Sequence, residues 1–215
     1  MTNPAPAIIL EPGFKIGYEK PLAKLEANIS LGSGTHFLVA RNGRGKTTLL
    51  RTLANTLKPL GGSHRMVGAV QYLPEDLSFD PELPAKSIFH ALLPKQNRQP
   101  AFELAAKVEL DVKKPYGRLS TGNRRKVSLL LAEFSVTATG PHILLLDEPF
   151  SGLDAFARQA FEELWQQSTA VLRLVSCHPD YDGMVMPSTL LIESGQIRHL
   201  ENQEQQWSAL KSLLN

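Results

Sequence analysis

The chain has 215 residues, enough for one domain with an inserted subdomain. Its 42% hydrophobic and 20% charged composition, with 15 Gly and 15 Pro, excludes collagen-like, coiled-coil and disordered classes. A net charge of +2 is too small to point to nucleic acid, and the single cysteine excludes an internal disulfide framework and fits a reducing compartment. No run approaches the ~20 apolar residues of a membrane span, and the N-terminus, MTNPAPAIIL, lacks the basic stretch of a signal peptide. A soluble cytosolic chain is the expectation.

Short apolar runs alternate with helix-like stretches, which predicts an α/β sheet. Residues 36–40 (HFLVA) read as a buried strand, followed by a Gly-containing turn and a helix on which Leu49, Leu50, Leu53, Ala54 and Leu57 recur at helical spacing. Gly61 and Gly62 break that unit, and residues 69–73 (AVQYL) read as a second strand. From Ser78 to about Val112 the texture changes: four prolines fall between Pro81 and Pro100, and residues 101–110 look helical, as in an inserted helical subdomain. Residues 143–146 and 171–175 do not alternate and read as central strands. Residues 189–200 (TLLIESGQIRHL) predict a hairpin turning at Ser194 and Gly195, and a helix closes the chain.

The strongest local motif is ARNGRGKTT at 40–48. It matches the phosphate-loop pattern G-x-x-x-x-G-K-[ST] at Gly45, Lys46 and Thr47, between a strand and a helix, with Ala40 in place of the first glycine. Such a loop brings backbone N–H groups close to phosphate oxygens, and the helix N-terminus adds partial positive charge. Lys46 is expected to hold the β- and γ-phosphates and the Thr47 hydroxyl to bind Mg²⁺. The whole stretch Arg41, Asn42, Gly43, Arg44, Gly45, Lys46, Thr47 and Thr48 is the candidate nucleotide loop.

A second motif agrees with it. The apolar run 143–146 leads into Asp147, Glu148 and Pro149, and a buried strand that delivers two adjacent carboxylates needs a cation or polar ligand to compensate them. Neighbouring strand residues point to opposite faces, so the two acids are expected to differ in role. Asp147 fits the Mg²⁺ side, and Glu148 fits a group that orients or deprotonates an attacking water. Nucleotide hydrolysis is the reading.

Between the two motifs lies RLSTGNRRKVSLLLAE (118–133), and SGLD (151–154) follows the acids. Together these resemble the ATP-binding cassette family, the ATPase subunits of membrane transporters, over nearly the whole chain. LSTGN at 119–123 resembles the family signature, with Thr121 replacing a glycine and Asn123 a glutamine; Asn there leans toward exporter-type cassettes. The resemblance implies an α/β P-loop NTPase core with a mostly parallel central sheet, an N-terminal antiparallel β portion and an inserted helical subdomain. Residues 1–73 and 136–215 would form the core and 74–135 the helical subdomain.

The resemblance also implies roles. Gln71 would touch Mg²⁺. Tyr18, 28 residues before Lys46, would stack on adenine, with Phe14 as its rival. His178 would contact the γ-phosphate, completing a catalytic set with Glu148 and Lys46. Ser120, Thr121, Gly122 and Asn123 would close on ATP held by a partner cassette, with Asp154 coupling the two sites. The Ser120–Gly122 segment has a physical basis of its own, since Ser and Gly at a helix N-terminus favour anions. ATP and Mg²⁺ are the implied cofactors. A separate transmembrane subunit and a second cassette, identical or sister, are the implied partners, which would hold the chain at the cytoplasmic face of a membrane.

Residues 118–126 carry four basic side chains and no acid, and residues 147–163 carry five acids and one arginine. The basic run is expected to be a solvated helix face near ATP phosphates, and no nucleic-acid partner is expected. The alternative function is a soluble cassette ATPase in assembly or repair. A cysteine–histidine nucleophile at Cys177 and His178 is rejected because adjacent residues on an extended segment point apart.

Overall fold

The computed structural model describes residues 4–136, 140–177 and 184–214. The chain opens with β1 (Ala7–Leu10), β2 (Lys15–Gly17), β3 (Pro21–Leu25), β4 (Ile29–Leu31) and β5 (Gly34–Ala40), then α1 (Lys46–Leu53), β6 (His64–Val67) and β7 (Ala69–Leu73). Helices α2 (Ala85–Leu92), α3 (Lys95–Lys107) and α4 (Thr121–Phe134) follow, with a 3-10 turn at Tyr116–Arg118. The chain closes with β8 (His142–Leu146), α5 (Ala155–Gln167), β9 (Leu172–Ser176), β10 (Val185–Glu193), β11 (Gln196–Gln206) and α6 (Trp207–Lys211).

Among the described residues the strands form two sheets. The larger runs β2-β3-β11-β10-β5-β9-β8-β7, and the smaller is the antiparallel trio β4-β1-β6. Strands β10, β5, β9, β8 and β7 pair in parallel, while β11 on β10 and β2 on β3 are antiparallel. This is the mixed, mostly parallel α/β architecture expected of a P-loop core, with an antiparallel β portion near the N-terminus.

Alternation sends the central strands' side chains to two faces, and both are apolar. Phe37, Val39, Leu144, Leu146 and Val175 face one core, shared with α2, α3, α4 and α5. Leu38, Ala40, Ile143, Leu145, Leu172 and Leu174 face the other, shared with Leu49, Leu50 and Leu53 of α1 and with Ile8 and Leu10 of β1. Two segments depart from expectation. Helix α1 stops at Leu53 rather than reaching Leu57, because Asn55 turns left-handed (φ 57°), a conformation asparagine tolerates better than most residues. In the proline-rich stretch, expected to be helical over 101–110, the helix instead spans Lys95–Lys107 and α2 precedes it: Pro84 and Pro94 stand at the N-caps of α2 and α3, where the missing N–H costs nothing.

Candidate nucleotide site

Strand β5 ends at Ala40, and the chain turns through residues 41–45 into α1. Gly43 (φ 74°) and Gly45 (φ 107°) take up the left-handed conformations that an L side chain resists. Ala40 is the last residue of an extended strand and has no positive φ, so the missing first glycine is no obstacle. Helix α1 starts with no side-chain cap and no acid in its first turn, which leaves its end electropositive.

Around this helix start lies a cavity of about 520 Å³ lined by Tyr18, Asn42, Gly43, Gly45, Lys46, Thr47, Thr48, Glu75 and Glu148, with Leu22 at its wall. Lys46 is buried, its Nζ 3.4 Å from the Ala40 carbonyl and 3.4 Å from Glu148 Oε1. Tyr18 is 57% exposed and lines the cavity, whereas Phe14 is fully buried against His64. Burial removes Phe14 from contention for a stacking role.

The two acids sit at the end of β8 in different settings. Asp147 is buried, and its Oδ1 accepts from Ser176 Oγ (2.8 Å) and its Oδ2 from Tyr72 Oη (3.3 Å). Burial first, and the Asp147 charge second, push the Tyr72 phenol up to about 12, so it stays a donor to that carboxylate. Glu148 takes a left-handed backbone (φ 45°), and its N–H donates to the same Ser176 Oγ (2.7 Å). A non-glycine residue held there stores strain that its surroundings must hold in place.

Several expected site residues stand elsewhere. Gln71 lies in the middle of β7, and its Oε1 accepts from Ser135 Oγ (2.9 Å) beside the end of α4. Alternation puts Gln71 on the face opposite Tyr72, so it turns away from Asp147 and lines no part of the cavity. Glu75, in the loop after β7, lines it instead. The side chains of Arg41 and Arg44 are exposed and line a separate cleft with residues 192–195, since the turn closed by Arg44 N–H to Arg41 C=O points them outward. His178 lies outside the described residues. Cys177 is buried, and burial pushes its thiol far up, away from nucleophilic thiolate.

Ser120 caps α4, its Oγ accepting from Asn123 N–H, and Thr121, Gly122 and Asn123 form the helix's first turn. Asp154 caps α5 by accepting from Ala157 N–H (2.7 Å) and pairs with Lys126 Nζ (3.0 Å); these contacts, the cap first, hold its carboxyl below the usual range. The two helix starts touch, because a Cβ on Gly122 would lie 2.4 Å from the Gly152 carbonyl oxygen. None of Ser120, Thr121, Gly122, Asn123 or Asp154 lines the cavity around Lys46. The basic run is solvated only in part: Arg118 is exposed, whereas Arg125 and Lys126 are each 6% exposed and donate to backbone carbonyls, and Arg124 lies over the Tyr116 ring.

Ser176, Tyr72, Glu75 and Arg125 are the residues that sequence reasoning misses. A polar residue ending the apolar strand β9 is the one signal that could have flagged Ser176.

A mostly parallel α/β sheet whose central strand turns through glycines into an uncapped helix, with paired acids at the end of the next strand but one, defines a P-loop nucleoside-triphosphate-binding domain. The family model described as "ABC transporter" matches residues 24–151. The chain belongs to the ABC transporter family, among its ATP-binding subunits. It is 34% identical over 141 residues to the cytochrome c biogenesis ATP-binding export protein CcmA of Novosphingobium aromaticivorans, covering 65% of this chain and 70% of that protein. It is 31% identical over 198 residues to the taurine import ATP-binding protein TauB of Pseudomonas putida, covering 82% of this chain and 73% of that one. The likeness thus spans proteins named for both directions of transport. A bacterial Atm1-family ABC exporter with ATP bound shares the fold at a TM-score of 0.77 and 14% identity, over 99% of this chain and 42% of that one. No helix among the described residues is long and apolar enough to cross a membrane.

Proposed function

We propose that this chain binds and hydrolyses ATP at the α1 cavity, as one of two cassettes that close on two nucleotides and drive a separate membrane-spanning subunit. The observation that carries this reading is the convergence of Lys46, the uncapped α1 start and Glu148 on one cavity. The backbone N–H groups of the loop and Lys46 would hold the phosphates, and Tyr18 would stack on the base. Glu148 would orient and deprotonate the attacking water, and a partner's Ser120–Asn123 turn would face the γ-phosphate from across the dimer. His178 is assigned to the γ-phosphate by resemblance alone.

The donors near the cavity, the Thr47 hydroxyl and the Asp147 and Glu75 carboxylates, are all hard oxygens, which fits Mg²⁺. When bound, that ion would supply charge neutralisation on the β- and γ-phosphate oxygens. Glu75 takes the place that the resemblance gives to Gln71. The working place of the chain would be the cytoplasmic face of a membrane, through its partner.

The test uses purified full-length chain. Wild type should turn over ATP, and Lys46→Ala should abolish this. Glu148→Gln should keep ATP binding, lose turnover by about 100-fold or more, and form an ATP-dependent dimer in light scattering. A folded Glu148→Gln variant that neither binds ATP nor dimerises with it would sink the proposal.

A further inference from the structure

Arg125 belongs to the basic run after the signature, yet it is only 6% exposed. A buried guanidinium demands acceptors for its fixed fork of donors, and these are backbone carbonyls drawn from two loops. Nη1 donates to Pro74 C=O (3.0 Å) and Glu75 C=O (3.3 Å) in the loop after β7. Nε donates to Pro149 C=O (3.3 Å), and Nη2 donates to Asp147 C=O. The last two carbonyls stand on either side of Glu148.

Glu148 is thereby held from three directions. Its own N–H is fixed by Ser176 Oγ (2.7 Å), and the carbonyl groups before and after it are fixed by Arg125. Its left-handed backbone (φ 45°) would relax without such restraints, and relaxation would swing the carboxylate away from its place 3.4 Å from Lys46. The same guanidinium fixes the peptide carbonyl of Glu75, the other acid of the cavity wall. Arg125 sits on α4 just past the Ser120–Asn123 turn, so one side chain ties that helix to both acids. Lysine could not replace it in kind, because a single ammonium cannot reach four carbonyls in a planar fork.

We propose that Arg125 is a positioning residue for Glu148, locking the carbonyls of the residues before and after it, Asp147 and Pro149, and making the placement of its carboxylate depend on the position of α4. This rests on the reading of Glu148 as the group that activates water.

The experiment compares Arg125→Met and Arg125→Lys with wild type and Glu148→Gln in the full chain. It measures the melting temperature, the Kd for a fluorescent ATP analogue, kcat and KM for ATP, and the pH profile of kcat. The expected result is a Kd and KM within about twofold of wild type. The kcat should fall on the order of 100-fold in Arg125→Met and on the order of tenfold in Arg125→Lys, as a misplaced catalytic group predicts. The acid limb of the kcat profile should move in both variants.

A folded variant with unchanged kcat overturns the proposal. So does a fall in kcat matched by equal weakening of Kd and KM, since that marks a general loss of structure. If Arg125→Met does not fold, the split between kcat and KM in Arg125→Lys decides. Full turnover by Glu148→Gln would instead remove the reading of Glu148, and this proposal with it, whatever Arg125 does.

Discussion

Ser176 joins the two acids through one hydroxyl, donating to Asp147 and accepting from the Glu148 N–H. Its place could not be read from a linear motif, because it lies 29 residues beyond Asp147 and reaches it only once β8 and β9 pair in parallel. Lys46, Thr47 and Glu148 are legible for the opposite reason: a phosphate loop and a strand-end acid are local devices with fixed spacing. Gln71 misleads because its metal role rests on resemblance alone, and only the pleat reveals that this mid-strand residue faces Ser135.

A second polar cluster at the other end of β5 makes a pH prediction. His36 Nε2 contacts the Gly32 carbonyl (2.9 Å), and Ser188 Oγ lies 2.6 Å from His36 Nδ1 and 2.8 Å from His199 Nε2. Burial, the leading cause, lowers both imidazoles below their ordinary 6.5, and it outweighs the Gly32 carbonyl at His36 and, at His199, the Glu201 carboxylate 3.4 Å away. The unfolded chain therefore takes up protons that the folded chain refuses. Stability should be full above about pH 6.5 and decline as pH falls below it. Calorimetry from about pH 7.5 to about pH 5.5 should show a falling melting temperature, with a shallower fall for His36→Gln. A flat profile in wild type would contradict this.

At the scale of elements, legibility follows how local the determinant is. The β10–β11 hairpin turns at Ser194 (φ 49°) and Gly195 (φ 73°), as the dipeptide predicts, because two left-handed residues between paired strands suit the sheet's twist. The basic stretch of α4 reads as solvent-facing from its charges but packs inward, since the loops after β7 and β8 and the end of α3 present carbonyls that need donors. The end of α4 is likewise settled from outside, by Asn97 Nδ2 donating to the Phe134 and Val136 carbonyls.

The contact between the starts of α4 and α5 is tight enough to test. A methyl at Gly122 would fall 2.4 Å from the Gly152 carbonyl oxygen, so Gly122→Ala must push the two helix starts apart. The expected cost is about 1–3 kcal/mol in denaturant unfolding. ATP-dependent dimerisation should weaken, while Kd for ATP in the monomer stays unchanged, because neither glycine lines the cavity. Unaltered unfolding and dimerisation would show that the contact has slack.

Across the whole molecule, the near-neutral total charge conceals how the ions are used. Arg173 and Glu133, each about 2% exposed at the side chain, form a buried pair at 2.7 Å, and Arg173 also meets Ser168 and the Trp165 ring. The division into two cores was foreseeable from the non-alternating strands, which have no polar face to give to water. Which helices cover which face was not, because it depends on the crossovers between strands that are far apart in sequence.

The family-model match starts at residue 24, but helix α1 does not rest on that portion alone. Strand β1 is the middle strand of the small sheet, pairing with both β4 and β6, and its Ile8 and Leu10 share a core with Leu49, Leu50 and Leu53 of α1. A chain trimmed to begin at Glu11 would lose β1 yet keep Tyr18 and every motif from Lys46 onward. It should nonetheless bind ATP poorly and melt at a lower temperature than the full chain, as parallel calorimetry and ATP titration would reveal. Recognisable motifs and foldable unit thus have different borders here: the glycine loop before α1 is a cantilever, and its counterweight is a strand from the first ten residues.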